Sequence, residues 1–324
     1  MTDRLESTKD EGGRRGRAVP TGAGFGLAGA VIAYVFWGLM PLYWHLMAAV
    51  DSVEVLAHRI VWSFVFIGAV LVATGRTGEA LRHIRAVFTK THAPMARVIV
   101  AASAFASANW LINILGVNTG RVVELGIGTF LTPLATAAIG ICVFRERISK
   151  LRAAALGVAA LGVAALVVGL DRFPTIALSV SATWAIYGAL KKKVTLAPLE
   201  SVMLEHALML PFALAWLLLG NGGSAALRFF EGFDGISWVL MGTGVVTSIP
   251  MILFSLAAQR LPFTVLGIIQ FLSPVLTLLL GVFVFAEPLG TAQAAAIACV
   301  VVAAVLFVAG GHEERKRAAD GEEK

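Results

Sequence analysis

Five ionisable side chains stand inside stretches that are otherwise apolar: His58, Arg59, Glu124, Glu205 and His206. A charge in such a segment is costly to keep, so its position points to function before it points to packing. An acid next to an imidazole, as in Glu205-His206, suits a proton relay, because an imidazole changes charge near neutral pH. Glu54 and His58 are four residues apart and share one helix face. Glu124 has Arg121, Arg59 and His58 as candidate partners; its two readings are a coupling acid and a structural salt bridge. Arg59 belongs either to that cluster or to the membrane surface, reached by its long stem. For Glu205 and His206 the alternative to a relay is pairing with Lys191 to Lys193. Glu146, with Arg147 and Lys150, reads as an ion pair or a helix cap.

The uncharged groups extend the pattern. Asn109 and Asn113 lie one turn apart on either side of Trp110 and serve as interhelical glue or as solute contacts. Gln270 is a candidate polar contact at mid-depth. Trp37, Phe130, Trp184, Tyr187 and Phe271 are candidate walls of a solute pathway, whereas Tyr43 and Trp44 fit an interfacial aromatic belt. The sequence has no Gly-x-x-x-x-Gly-Lys-Ser/Thr, His-Glu-x-x-His or Gly-x-Ser-x-Gly motif, so neither nucleotide hydrolysis nor those two hydrolytic sites are written in it. No cofactor and no metal are expected. Cys142 and Cys299 have no framework spacing and read as small buried hydrophobes.

The elements that must carry these residues are membrane helices. Hydrophobic residues make up 58% and charged residues 14% of the chain, with a mean hydropathy of +0.84, outside the range of a soluble domain. About 20 apolar residues cross a bilayer. Ten stretches qualify, near 24–47, 54–74, 95–117, 122–144, 151–170, 173–190, 199–219, 236–258, 263–285 and 291–309. Residues 78–92, with Leu81, Ile84 and Phe88 to one side, fit a short interfacial amphipathic helix.

The stretch from Val122 to Gly169 recurs without a gap as Phe263 to Gly310. Leu125 answers Leu266, Gly126 Gly267, Phe130 Phe271, Thr132-Pro133 Ser273-Pro274, and Glu146 Glu287. More loosely, Glu54 answers Glu200 and Arg59 answers Glu205. Five spans per copy is an odd number, so the copies are inverted repeats. The expected organisation is a disordered cytoplasmic tail (1–22), a first five-helix repeat (23–170), a second (171–310) and a cytoplasmic tail (311–324). Of the 26 Lys and Arg residues, all but Arg59, Arg121, Arg172 and Arg228 fall on one side if the N-terminus is inside. That bias places both termini in the cytoplasm. It also accounts for the net charge of +6, and no nucleic-acid partner is read into it. Ala- and Gly-rich spans five and ten read as a packing scaffold or a homodimer face. Pro133, Pro250 and Pro274 each remove a backbone hydrogen bond at membrane depth and are expected to break or hinge their helices.

With those residues in view, the chain resembles the drug/metabolite transporter superfamily, in its EamA branch and most closely the RarD subfamily. The resemblance is carried by Pro41 to Trp44, Glu54 with Leu56 to Arg59, Asn109-Trp110, Glu124, Phe130, Pro133, Tyr187-Gly188, Gly244 to Pro250, Leu261-Pro262, Gln270, Pro274 and Glu287-Pro288, and covers about 24 to 310. It implies ten helices in two inverted repeats, a central cavity lined chiefly by the non-scaffold helices, and secondary transport of small metabolites in a bacterial cytoplasmic membrane. The RarD likeness implies a permease linked by name to chloramphenicol sensitivity. The chain departs from the resemblance at Ile127 to Thr129, where the family carries an aromatic.

The expected function is a secondary active transporter that moves a small amphipathic or aromatic metabolite or drug by alternating access, not an enzyme. His58, Arg59, Glu124, Glu205 and His206 are its charged coupling groups. The competing classes are an intramembrane enzyme and a non-transporting sensor or scaffold.

Overall fold

In the computed structural model the described residues are 21–47, 50–89, 93–119, 121–168, 173–220, 235–284 and 290–322. The N-terminal tail up to residue 20, the loop at 221–234, Arg172, Arg228, Gly169, Glu287 and Pro288 lie outside them. No strand occurs among the described residues. The helices are α1 (Thr21–His45), α2 (Ser52–Ala73), α3 (Thr77–Val87), α4 (Ala93–Asn118), α5 (Val122–Cys142), α6 (Lys150–Val168), α7 (Thr175–Lys193), α8 (Pro198–Leu219), α9 (Gly235–Arg260), α10 (Phe263–Gln270), α11 (Leu272–Phe283) and α12 (Thr291–Glu322).

The packing is inside-out relative to a water-soluble protein. Glu54, His58, Glu124, Lys191, Glu200, Glu205 and His206 are buried, while Phe212 is 78% and Val168 85% exposed. Such a surface is stable only where lipid is the solvent. Among the described residues nine helical segments are long and apolar enough to cross a membrane, with α10 and α11 together making one. The expected sixth span, α7, is 19 residues long but carries Thr175, Ser179, Ser181, Thr183 and three lysines, and it does not qualify by composition. It packs among α4, α5 and α9, and burial there replaces lipid contact.

Local chemistry sets the ends. The Asp51 carboxylate accepts from the amides of Val53 (2.9 Å) and Glu54 (3.2 Å), capping α2. Pro198 opens α8 at a position where no amide donor is needed. α12 continues past the expected end of its span to Glu322, crossing Gly310 and Gly311 into Glu313 to Ala319, which have good helix propensity. α3 falls within the stretch expected to form a short amphipathic helix; Ala80 and Val87 are buried and Ile84 packs beside Val87, whereas Leu81 and Phe88 are exposed.

Of the three expected breaks only one is a break. Pro274 cannot donate to the Gln270 carbonyl, and the helix is interrupted at Phe271 between α10 and α11. α5 and α9 run on through Pro133 and Pro250. α5 crosses α10 closely at Pro133: a Cβ on Gly267 of α10 would sit 2.8 Å from the Pro133 carbonyl oxygen.

The duplication is visible in the contacts. α1 packs on α9 as α7 packs on α4, and α1 packs on α10 and α11 as α7 packs on α5. α6 and α12 pair with each other through their small residues; a Cβ on Gly162 would lie 2.8 Å from Cys299 Cβ. Ala155, Ala159 and Gly162 are buried in this pairing, whereas Ala153, Gly157, Ala165, Ala294 and Ala298 stay exposed on the outer side. Cys142 departs from the buried reading, being exposed near the end of α5, and both cysteines are free. One symmetry is broken: α7 packs firmly on α9, while their counterparts α1 and α4 have no comparable contact.

Candidate functional site

The gap between α1 and α4 is part of a cavity of about 640 Å³, a volume suited to a small organic molecule. One face of α1 supplies Tyr34, Trp37, Pro41 and Trp44, at helical spacing. α2 adds Leu56 and Arg59, α4 adds Asn109, Trp110 and Asn113, α5 adds Thr129 and Thr132, α7 adds Val180 and Trp184, and the break at Phe271 presents Gln270, Ser273 and Pro274. The cavity extends to Met47 and Val50, where α1 ends and α2 begins.

At mid-bundle it stops against a ring cluster. Trp37 and Trp184 meet edge to face at 5.2 Å, Tyr34 lies 5.2 Å from Trp37, and Phe254 lies 5.4 Å from Trp184. Behind these rings Tyr187 stacks on Phe254 at 5.8 Å and donates its hydroxyl to Glu205 Oε2 at 3.0 Å. Lys191 Nζ donates to Glu205 Oε1 at 2.5 Å and to Ser201 Oγ at 2.6 Å. Lys191, Glu205 and His206 are 0% exposed. A buried ion pair with its hydrogen bonds satisfied therefore closes this end of the bundle.

Arg59 occupies the other part of the cavity. Its Nε donates to Thr247 Oγ1 at 3.0 Å, and its guanidinium carbon lies 4.9 Å from the Trp110 ring and 5.1 Å from the Trp44 ring. Trp44 therefore lines the cavity, and Tyr43 bonds inward, to the Val239 carbonyl at 2.6 Å. His206 lies on the far side of Trp110, with ring centroids 6.2 Å apart. Its Nδ1 is 2.8 Å from the Val202 carbonyl, which assigns the proton to Nδ1. Nε2 is left as a buried acceptor with no hydrogen bond among the described residues.

Glu124 has a different setting. It takes Arg121 as partner (2.6 Å to Nη2) and accepts from the Ile176 amide at 2.6 Å, so it ties α5 to the N-terminus of α7. Arg59 turns instead to Thr247, and His58 is buried on α2 one turn from Glu54. Glu146, just past the other end of α5, does the same for α10, accepting from the Phe263 and Thr264 amides at 2.6 and 2.8 Å. Both carboxylates sit where a helix N-terminus favours negative charge.

Asn109 and Asn113 combine their two readings. Asn109 Nδ2 donates to the Val180 carbonyl at 2.8 Å and to Thr183 Oγ1 at 3.0 Å, joining α4 to α7, and Asn113 Nδ2 donates to the Asn109 carbonyl at 2.7 Å. Both still line the cavity. Gln270 presents a buried Oε1 without a hydrogen-bond partner among the described residues.

Of the aromatic candidates, Trp37 and Trp184 line the cavity, Tyr187 lies sealed behind it, and Phe130 and Phe271 pack with α6 and α12 in a separate core. Phe130 and Phe271 are repeat-equivalent, and both turn toward the scaffold pair instead of the pathway. Tyr34, Trp44, Trp110 and Thr132 are cavity residues that were not singled out as such. The signal for the first two was present: Tyr34, Trp37, Pro41 and Trp44 recur at steps of three and four.

Comparison with known proteins agrees with this architecture. The EamA-like transporter family pattern matches residues 24–168 and again 174–309. Protein RarD of Streptomyces exfoliatus is 36% identical over 279 residues, 85% of each chain. The uncharacterized transporter YojE of Bacillus subtilis is 32% identical over 283 residues, 87% of this chain and 93% of that one. A protein crystal structure with 17% identity superposes with a TM-score of 0.68 over 90% of this chain and 98% of the other, which shows a shared fold. The chain belongs to the EamA-like transporter family, with RarD proteins among its relatives.

Proposed function

We propose that the protein is a secondary active transporter, not an enzyme, which moves a small amphipathic or aromatic metabolite or drug across a bacterial cytoplasmic membrane by alternating access. The observation that carries this reading is the one break in the two-fold packing. A cavity of about 640 Å³ runs to one end between α1 and α4, while α7 and α9 close the equivalent space at the other end. Exchanging the two arrangements would present the same cavity to the opposite side, which is what inverted repeats make available.

With α7 taken as the tenth span, the excess of Lys and Arg supports a cytoplasmic location for both termini and for the Lys191 end. On that orientation the state described is the outward-facing one. Opening inward requires Lys191 and Glu205 to separate. Protonation of Glu205 would release Lys191, with His206 as the neighbouring proton carrier. The break at Phe271 and the prolines at 133 and 250 are the places where helices can bend.

The test is counterflow in proteoliposomes with a panel of aromatic acids, amines and neutral amphiphiles including a phenicol, with and without an imposed pH gradient. Accumulation of one class driven by the proton gradient is the expected result. Absence of flux for every solute under every gradient overturns the transporter reading.

A further inference from the structure

We propose that Arg59 is the subsite for a carboxylate on the transported solute, so that the substrate class is an organic acid with a flat apolar body. The inference rests on the cavity being the transport site.

The first argument is charge. Among the described residues, the neighbouring cations of the bundle have partners of their own: Arg121 has Glu124, Lys191 has Glu205, and Lys192 has Glu146 at 3.8 Å and the Leu261 carbonyl at 2.6 Å. No carboxylate lies within ion-pair distance of Arg59 among those residues. A guanidinium has five N–H donors in a planar fork. Only Nε is used, on Thr247, and no hydrogen bond from the terminal amino groups occurs among the described residues.

The second argument is the setting. Trp44 and Trp110 cover Arg59, a pairing that stabilises a cation without neutralising it. The guanidinium carbon lies over both rings, and its two terminal amino groups make no hydrogen bond among the described residues, which leaves them for a bidentate carboxylate. The surrounding wall of Trp37, Trp184, Tyr34 and Met40 is apolar, so an anion arriving there interacts with Arg59 more strongly than it would in water. The same wall takes the flat apolar body by ring contacts. Among the described residues that line the cavity none is acidic and able to attract an amine.

A purely structural Arg59, clamping α2 to α4 and α9 through Trp110 and Thr247, makes a different prediction: its loss lowers stability without changing which solutes bind. The experiment uses the purified full chain in nanodiscs, with thermal stabilisation and quenching of tryptophan fluorescence as readouts. The probes are 3-phenylpropionate and indole-3-acetate, each beside its amide, and 3-phenylpropylamine. On the unmodified protein the acids bind, while the amides and the amine bind about tenfold more weakly or not at all. Arg59→Gln removes the preference for acid over amide, and Arg59→Lys keeps the preference at reduced affinity. Equal binding of acid and amide, an unchanged preference in Arg59→Gln, or no acid-specific binding across the panel overturns the assignment. The comparison on unmodified protein stands even if Arg59→Gln does not fold. Failure of all counterflow would instead remove the transporter reading and leave acid-selective binding as a separate fact.

Discussion

Trp37 and Trp184 occupy corresponding places in the two copies and touch each other at the centre of the molecule. Followed outward from that contact in the same register, the copies part company. Where the second copy has Lys191 the first has Trp44, and in the next helix pair, at an offset one residue shorter, Glu205 answers Arg59. At the Lys191 end the protein supplies both charges, and the helices close on them. At the Arg59 end it supplies one charge and two rings, and the helices stay apart. The contrast suggests a rule for a duplicated scaffold: a self-complementary pair holds its own end, while at the other end Arg59 has no carboxylate within ion-pair distance among the described residues, as a solute-binding end requires.

The largest effect is expected from breaking the lock on one side only. Lys191→Ala leaves the Glu205 carboxylate buried with Ser201 and Tyr187 as its remaining partners, and stranding a buried charge in this way costs about 3–5 kcal/mol. The thermal unfolding temperature of the detergent-solubilised protein should fall steeply. Replacing both residues by methionine should recover most of the stability, because apolar side chains of similar volume pack without a desolvation cost. Counterflow should remain defective in the double variant if the pair must open and close. An unfolding temperature unmoved by Lys191→Ala would mean that this end is not held by the ion pair.

A matched pair of milder changes sharpens the contrast. Trp44→Leu keeps apolar bulk but removes one ring from Arg59, and a lost cation–π contact is worth about 1 kcal/mol. It should weaken solute binding about fivefold with little change in unfolding temperature. Tyr187→Phe removes a hydrogen bond to Glu205 at the other end, also worth about 1 kcal/mol, and should lower stability with solute affinity unchanged. If both variants altered affinity to the same degree, the two ends would not be separable in function.

The sequence was informative about the frame because lipid imposes a simple rule on composition. Long apolar stretches, the register of Pro and Gly between the copies, and the lysine bias can all be read along the chain. The exception is α7, whose Ser, Thr and Lys residues are admitted by neighbouring helices and so escape a hydropathy test. The site was less legible because which face of a helix meets the cavity is a tertiary fact. Phe130 lies three residues from Pro133 and looked like pathway, yet it packs against the scaffold. Trp44 looked like a belt residue because it ends an apolar span, yet the gap between α1 and α4 turns it inward over Arg59. The partner of Glu124 was also hard to assign from spacing alone, since it includes the Ile176 amide of the next repeat.

Glu124 gives the smallest expected effect and the clearest division between coupling and architecture. In Glu124→Gln the side-chain oxygen still accepts from the Ile176 amide, but the negative charge facing Arg121 and the α7 N-terminus is lost. Arg121 is partly solvent-exposed, so the ion pair is worth little, and the charge at the helix N-terminus adds a comparable amount. Stability should fall by about 1 kcal/mol, while counterflow and its response to a pH gradient stay as in the unmodified protein. Glu205→Gln should do the reverse to the coupling: with no acid to release Lys191 by protonation, flux should lose its dependence on the proton gradient. A folded Glu124→Gln protein whose flux ignored the gradient would move the coupling acid to the Arg59 end and reverse the assignment of the two ends.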